Sequence, residues 1–476
     1  MRLAYLLAAV VLLQTPLATA APPNDRWFED VKKSASPEQL YRFLYALPKG
    51  GDLHNHLSGA ALSEWMLGAA IATQNQGYTY YTKVTIRNCV PYGSNEYGAA
   101  TPYLMLFVNI SAPSYAKLDE CQRSEYKRLQ DLDAREKQGW LDSLRLDKPY
   151  EGRAEFFNAH WQRMNELFVN PYWTADILFR SMQAFGKEGV VYLETENQLT
   201  GFQKADGSEM SPDEAAGLFR AKLASPEWRA TGVEVRFQNS ILRFAPNAEE
   251  SLKKLYAIND QYRDLFVGIN MVGREDDDKG HPMRFLATLR ELRHHYPDIK
   301  LSIHAGEVDE PNSHVRDTLL LGADRIGHGV NLISDPDTML LMRHGPYLVE
   351  INLISNLLLE YVKDYSQHPF PEYLRIGIPV ALSTDDRGMW DSNMTDEYFV
   401  AVREFNLSWS EIVQLGRNSL EHAFVEEPTK QKLLADYDKR VAAFASRFQK
   451  KGWSALDGVK PVTYSFICKH YSVCLK

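Results

Sequence analysis

Short apolar, β-branched runs recur along this chain at intervals wide enough to hold a helix between them. The first is Gly51-Asp52-Leu53-His54, and others follow at 189–194, 233–237, 266–272, 299–304, 324–327, 347–351 and 379–383. Most are near-continuous hydrophobic stretches of strand length, the pattern of strands covered on both faces. Between them the spacing turns helical, as over 282–295 and 315–321. Eight strands alternating with helices predict an α/β chain folded as a (β/α)8 TIM-type barrel. An open doubly wound sheet is the alternative. It has no Gly-rich phosphate loop to support it, and polar groups at the first and last strands meet more readily in a closed barrel.

Several stretches stand outside the repeat. Residues 21–48 read as an N-terminal helical arm, with a helix around Pro37 to Leu47, ahead of a barrel over 49–476. Residues from about 77 to 150 form a long insertion after the first strand, rich in Tyr and charge. A structureless loop of that length is unusual, so a small subdomain is expected. It either covers the site, forms a homodimer contact with a second copy, or decorates the barrel. The segment from Ser408 to Phe448 is helical in pattern.

The first 20 residues read as a signal peptide. Arg2 is the positive start, Leu3 to Leu13 is almost wholly apolar, and Ala18-Thr19-Ala20 offers small residues for cleavage near Ala20. The apolar stretch is short for a membrane anchor. The chain is therefore expected to be exported, to a periplasmic or extracellular space. Four cysteines follow, and an even count in an exported chain favours two disulfides. Sequence proximity pairs Cys89 with Cys121 and Cys468 with Cys474.

Composition is ordinary for a globular protein, at 45% hydrophobic and 24% charged. The net charge of -9, with no Lys/Arg run, argues against a nucleic-acid partner and points to a small-molecule substrate.

The polar chemistry gathers at the ends of the first, fifth, sixth and eighth predicted strands. His54 and His56 lie two apart on a strand, so both imidazoles face one way. His304 ends the fifth strand, and Gly306 lets the chain turn so that Glu307 faces the same mouth. His328 sits between Gly327 and Gly329. Asp385 and Asp386 follow the eighth strand, where neighbours point apart and one can bind a metal while the other meets substrate. Three imidazoles and a carboxylate suit Zn2+, and the extra acids suit proton traffic around an activated water.

These segments resemble the adenosine deaminase family of the metal-dependent amidohydrolase superfamily. Pro48-Lys49 before Asp52-Leu53-His54-Asn55-His56-Leu57 is similar to its opening motif. His304-Ala305-Gly306-Glu307, Arg325-Ile326-Gly327-His328-Gly329 and Ser383-Thr384-Asp385-Asp386 resemble later ones, as do Ile354-Ser355-Asn356 and His368-Pro369. The signal peptide, the insertion and Gly273 followed by Glu275-Asp276 look most like the secreted, growth-factor-related branch. The resemblance implies that His54, His56, His304 and Asp385 bind one Zn2+. It implies that Glu307 protonates the purine at N1, and that His328 orients the attacking water and takes its proton. Asp386 would contact N7 and the Gly273 backbone the N3 edge.

The chain departs from that pattern at Ser58, a candidate substrate-binding residue that stands where many members of the family place an acid facing the sugar. It departs again at Asn270-Met271, Arg274, Asn352-Leu353 and Arg387, none of which is expected to touch a zinc ligand. Arg274 and Arg387 either favour an acidic substrate or face outward in surface salt bridges. The expected activity is zinc-dependent deamination of adenosine and 2′-deoxyadenosine to inosine and 2′-deoxyinosine. A related amidohydrolase acting on adenine, a modified purine or a cyclic amide is the enzymatic alternative. A purine-binding or signalling protein without catalysis is the alternative of another class.

Overall fold

A computed structural model of the chain describes residues 25–87, 89, 105–276 and 278–475. The signal peptide expected over 1–20 lies outside these residues. Eleven strands are formed among these described residues. They are β1 (Gly50–Asp52), β2 (Tyr80–Lys83), β3 (Asn109–Ser111), β4 (Tyr126–Arg128), β5 (Val190–Glu196) and β6 (Glu234–Leu242). Then come β7 (Phe266–Val272), β8 (Lys300–Ala305), β9 (Arg325–His328), β10 (Leu348–Ile351) and β11 (Val380–Leu382).

Eight of them make one parallel sheet in the order β1-β5-β6-β7-β8-β9-β10-β11, which is the order of the eight predicted runs. Successive parallel neighbours require helical crossovers, and the helices surround the sheet as the barrel fold demands. The helix Pro171–Lys187 shows how the sequence fixes one. Asn170 caps it by accepting from the Tyr172 and Trp173 N–H groups, Pro171 opens it, and Trp173, Ile177, Leu178 and Phe185 are buried.

The sheet closes on itself between β11 and β1 without a regular ladder. The Asp385 N–H donates to the His54 carbonyl at 3.0 Å, an isolated bridge joins Asn55 to Asp385, and Thr384 Oγ1 donates to Asp52 Oδ2 at 2.6 Å. The first strand therefore stops at Asp52. His54 and His56 lie beyond the regular strand: the His54 carbonyl takes part in closing the barrel, while His56 forms an isolated bridge to Glu196.

A polar layer crosses the barrel below its mouth. Arg325 is fully buried and reaches Glu194 Oε2 and Glu350 Oε1, each at 2.6 Å, with its guanidinium stacked on Phe424. Two buried carboxylates in apolar strands are tolerated because a fork of donors pairs both.

The insertion carries β2, β3 and β4 as an antiparallel sheet in the order β3-β2-β4, with Tyr81 stacked on Tyr115. The Cys89–Cys121 disulfide pins it, and Cys468–Cys474 closes the C-terminal turn. The helices Arg26–Ser34 and Pro37–Ala46 precede β1, and Trp409–Glu421 and Glu427–Lys451 follow the barrel. Among the described residues, no helix is long and apolar enough to cross a membrane.

Candidate metal centre and active-site cavity

The proposed catalytic, substrate-contact and metal-ligand residues gather at one mouth of the barrel. His56, Ser58, Gly273, His304, Glu307, His328, Asp385 and Asp386 all line a single cavity of about 560 Å³. His54 lies beneath, buried among them. Ligand atoms of His54, His304, His328 and Asp385 lie within 4.8 Å of one another, and His56, Asp385 and Asp386 form an overlapping group.

Each imidazole is aimed by a partner behind it. His54 Nδ1 donates to Glu350 Oε2 at 2.8 Å, His56 Nδ1 to Glu196 Oε2 at 2.9 Å, and His304 Nδ1 to Asn270 Oδ1 at 2.9 Å. Those bonds leave each Nε2 to face the cluster, the arrangement that metal-binding histidines need. His54 Nε2 lies 3.6 Å and His56 Nε2 3.1 Å from the same Asp385 oxygen. His54 Nε2 is buried without a hydrogen-bond partner, an orphan that a cation would satisfy. The donor set and the orphan together fit a divalent ion of the zinc type.

The backbone is strained at two of these positions. His328 and Asp385 hold φ values of +63° and +52°, in the left-handed region that costs a non-glycine residue roughly 1–3 kcal/mol. Barrel closure holds Asp385 there, and the turn out of β9 holds His328.

The acids are tuned apart. Burial, with the Asp385 and Glu275 charges nearby, pushes Glu307 well above the usual carboxylate range. Burial also pushes Asp386 well up, helped by Asp385 and Glu196. Burial opposes it at Asp385, yet the His54 and His56 imidazoles beside it hold that carboxylate well below its ordinary value. The two neighbouring aspartates are thus pushed in opposite directions. Asp386 Oδ1 has no hydrogen-bond partner in the protein. It sits against Gly59, where an added Cβ would come within 1.6 Å of it. Gly273 turns with φ +92°, and a Cβ there would strike Leu242 and Phe244 on the cavity wall.

Aromatic rings make up much of the remaining wall, among them Phe156, Phe157, Trp161, Phe168, Phe202 and Phe244. None of the described cavity-lining residues comes from 77–150; the segment after it does that work. Two arginines weighed as substrate contacts are engaged elsewhere. Arg274 pairs with Asp276 at 2.6 Å on the surface. Arg387 does not face outward: it is fully buried, bound to Glu188 at 2.7 Å, because the chain folds it under β11. The expectation that no departure touches a zinc ligand fails at Asn270, which holds His304. Asn352 lies against His328, its Nδ2 at 3.3 Å from Nδ1 and 3.4 Å from Nε2.

Sequence reasoning passed over Glu196 and Glu350, and named Asn270 and Glu275 only within motifs, with no role at the site. Glu275 accepts the N–H groups of Gly306 and Glu307, both at 2.9 Å, and so fixes the turn that carries Glu307. The available signal was a carboxylate inside an apolar strand, as at Glu350, which needs a buried partner to be tolerated.

Known proteins resemble this chain in sequence and fold. The family model described as adenosine deaminase matches residues 142–440, a range that holds His304, Glu307, His328, Asp385 and Asp386. An adenine deaminase of Chelativorans sp. (strain BNC1) is 28% identical over 296 residues, covering 58% of this chain and 85% of that protein. An adenosine deaminase 2 of Dictyostelium discoideum is 24% identical over 422 residues, covering 84% of this chain and 74% of its own length. Among solved structures, adenine deaminase from Arthrobacter aurescens superposes with a TM-score of 0.60 at 18% identity. It covers 83% of this chain and 99% of that one.

Proposed function

This chain belongs to the adenosine deaminase family, as a metal-dependent hydrolytic deaminase, and on that premise we propose that it converts adenosine and 2′-deoxyadenosine to inosine and 2′-deoxyinosine with release of ammonia. The observation that carries the reading is the meeting of the His/Asp cluster with Glu307 and Asp386 in one aromatic-walled cavity.

His54, His56, His304 and Asp385 would hold a single zinc ion. When bound, zinc supplies a hydroxide nucleophile near neutral pH. The chain's own residues do the rest. The aromatic wall receives the flat purine. Glu307, kept protonated by burial, donates to N1 and draws electrons from C6. Asp386, also held as the neutral acid, donates to the N7 lone pair. The Gly273 backbone meets the N3 edge, and His328 faces the nucleophile. Oxygen bonds to C6, the new hydroxyl gives its proton through the Glu307 carboxylate to N6, the C6–N6 bond breaks, and ammonia leaves.

Charge supports a nucleoside over a nucleotide. No Lys or Arg is among the described cavity-lining residues, while Glu196, Glu307, Asp385 and Asp386 are. A phosphate needs the reverse. Size supports a nucleoside over a bare base, since Ser58, Gln198, Thr200 and Ser240 offer polar contacts for a sugar. Export is part of the same proposal: the N-terminal pattern and the two disulfides suit an oxidising compartment.

The test is ultraviolet absorbance at the adenosine-to-inosine change, with and without a chelator, with adenine and AMP in parallel. Chelator-sensitive loss of the adenosine signal, with AMP turned over at least about 100-fold less efficiently, is expected. Turnover of AMP or adenine in preference to adenosine would sink the substrate assignment. No turnover of any purine by zinc-loaded protein would sink the activity.

A further inference from the structure

Behind His328 runs a chain of three hydrogen bonds with only one consistent direction. The Phe370 N–H donates to His368 Nδ1 at 3.1 Å. A backbone N–H can only donate, so that ring nitrogen carries no proton. His368 is buried, and burial alone brings its imidazole down to about 3. Being neutral, it carries its proton on Nε2, which lies 3.1 Å from Asn356 Oδ1. The Asn356 amide is thereby oriented: its oxygen accepts from His368, and its Nδ2 donates to His328 Nδ1 at 3.0 Å. A second amide, Asn352, sits almost equidistant from both nitrogens of the His328 ring, so it is aligned with neither lone pair. Asn356 and His328 are buried and His328 Nε2 points toward Glu307 Oε1 at 3.7 Å.

From this geometry we infer that His368 and Asn356 are positioning residues that lock His328 in the tautomer protonated on Nε2, so that His328 meets the reacting oxygen as a hydrogen-bond donor. This rests on the deaminase reading for its consequence, though not for the tautomer itself. It reverses the proton acceptance that the family resemblance implied for His328 in the resting enzyme. A donor there fixes the nucleophile's oxygen so that its free lone pair faces C6. Acceptance of protons at this end of the site falls to Glu307, once it has protonated N1.

The relay is read directly from the zinc-loaded protein labelled with ¹⁵N-histidine, by long-range ¹H–¹⁵N correlation spectra. The His328 signals are assigned by their loss in His328→Gln. The expected pattern is an unprotonated Nδ1 and a protonated Nε2 near neutral pH. A proton on Nδ1, or on both nitrogens, overturns the proposal whatever the activity. Asn356→Asp keeps the shape but offers His328 Nδ1 an acceptor, so the ring should turn to the other tautomer or to imidazolium. Its kcat for adenosine should fall about 10²–10⁴-fold with KM within a few fold and zinc content unchanged. His368→Gln can still accept from Phe370 and donate to Asn356, and should keep most of the turnover that His368→Phe loses. Equal losses in both, with the wild-type tautomer intact in both, would mean that His368 is only structural. Absence of wild-type turnover would discard the deaminase reading while leaving the spectra to decide the tautomer.

Discussion

Asn270 Oδ1 accepts a hydrogen bond from His304 Nδ1 at 2.9 Å, whereas His54 and His56 are backed by the carboxylates of Glu350 and Glu196. One of three imidazoles is therefore supported by a neutral amide. A carboxylate behind an imidazole makes it a better electron donor, and an amide does so less. Asn270→Asp should tighten metal retention about 10-fold, and Asn270→Leu should weaken it about 10–100-fold. Competition against a graded series of chelators measures both. Equal affinities in all three proteins would show that His304 is not a ligand.

Glu307 is the acid whose burial keeps its proton, so its removal should separate chemistry from metal binding. Glu307→Gln should lower kcat about 10²–10⁴-fold while the zinc content stays at the wild-type value. Metal analysis beside initial rates decides it. Retention of more than a tenth of wild-type turnover would remove Glu307 from the proton path.

Gly59 leaves no room for a side chain against Asp386, since an added Cβ would lie 1.6 Å from Oδ1. Gly59→Ala should push that carboxyl out of the cavity. Substrate contact then suffers more than metal affinity, with kcat/KM down about 10²-fold or more. An unchanged kcat/KM in a folded, zinc-loaded variant would show that Asp386 does not contact substrate.

The buried pair Arg387–Glu188 bears on stability rather than on specificity. Glu188 also accepts the Met394 N–H at 3.0 Å, so removing the guanidinium strands a buried carboxylate. Arg387→Met should cost about 3–5 kcal/mol in unfolding free energy and leave the preference for adenosine over AMP unchanged. Denaturant unfolding and a two-substrate assay measure the two halves. A changed preference would return Arg387 to the substrate side.

His160 is buried with neither ring nitrogen hydrogen-bonded, and burial beside Arg163 brings its imidazole down to about 3. The unfolded chain protonates this group near 6.5, so the unfolded state binds the extra proton between those values. Stability from this residue is full above about pH 6.5 and falls as pH drops toward 3, by about 1.4 kcal/mol per pH unit once well below 6.5. His160→Leu should therefore show a shallower loss of stability between pH 6 and 4. Parallel slopes for the two proteins would contradict a buried neutral His160.

The eight barrel strands were legible because most are apolar runs of strand length, such as Val190–Glu196 and Phe266–Val272, with helical spacing between successive runs. The sites at their ends were legible because His54, His56, His304, His328, Asp385 and Asp386 are expensive residues in such places. Their supports were not. Glu196, Asn270 and Glu350 sit far from the ligands in sequence, and nothing local distinguishes a carboxylate that backs an imidazole from one that pairs with an arginine. Arg387 misled for the same reason: an arginine after two aspartates reads as surface, and only the fold puts Glu188 beneath it.

The seam between β11 and β1 gives the molecule a built-in order of assembly. Leu53 and Ser383, which meet there, are 330 positions apart, and the proposed ligands His54, His56 and Asp385 stand on its two sides. A nascent chain thus holds two imidazoles early and lacks the carboxylate until its eighth barrel strand emerges. No truncated product that stops short of Asp385 carries the full ligand set, and an ion captured across the seam would fasten the two ends of the barrel together.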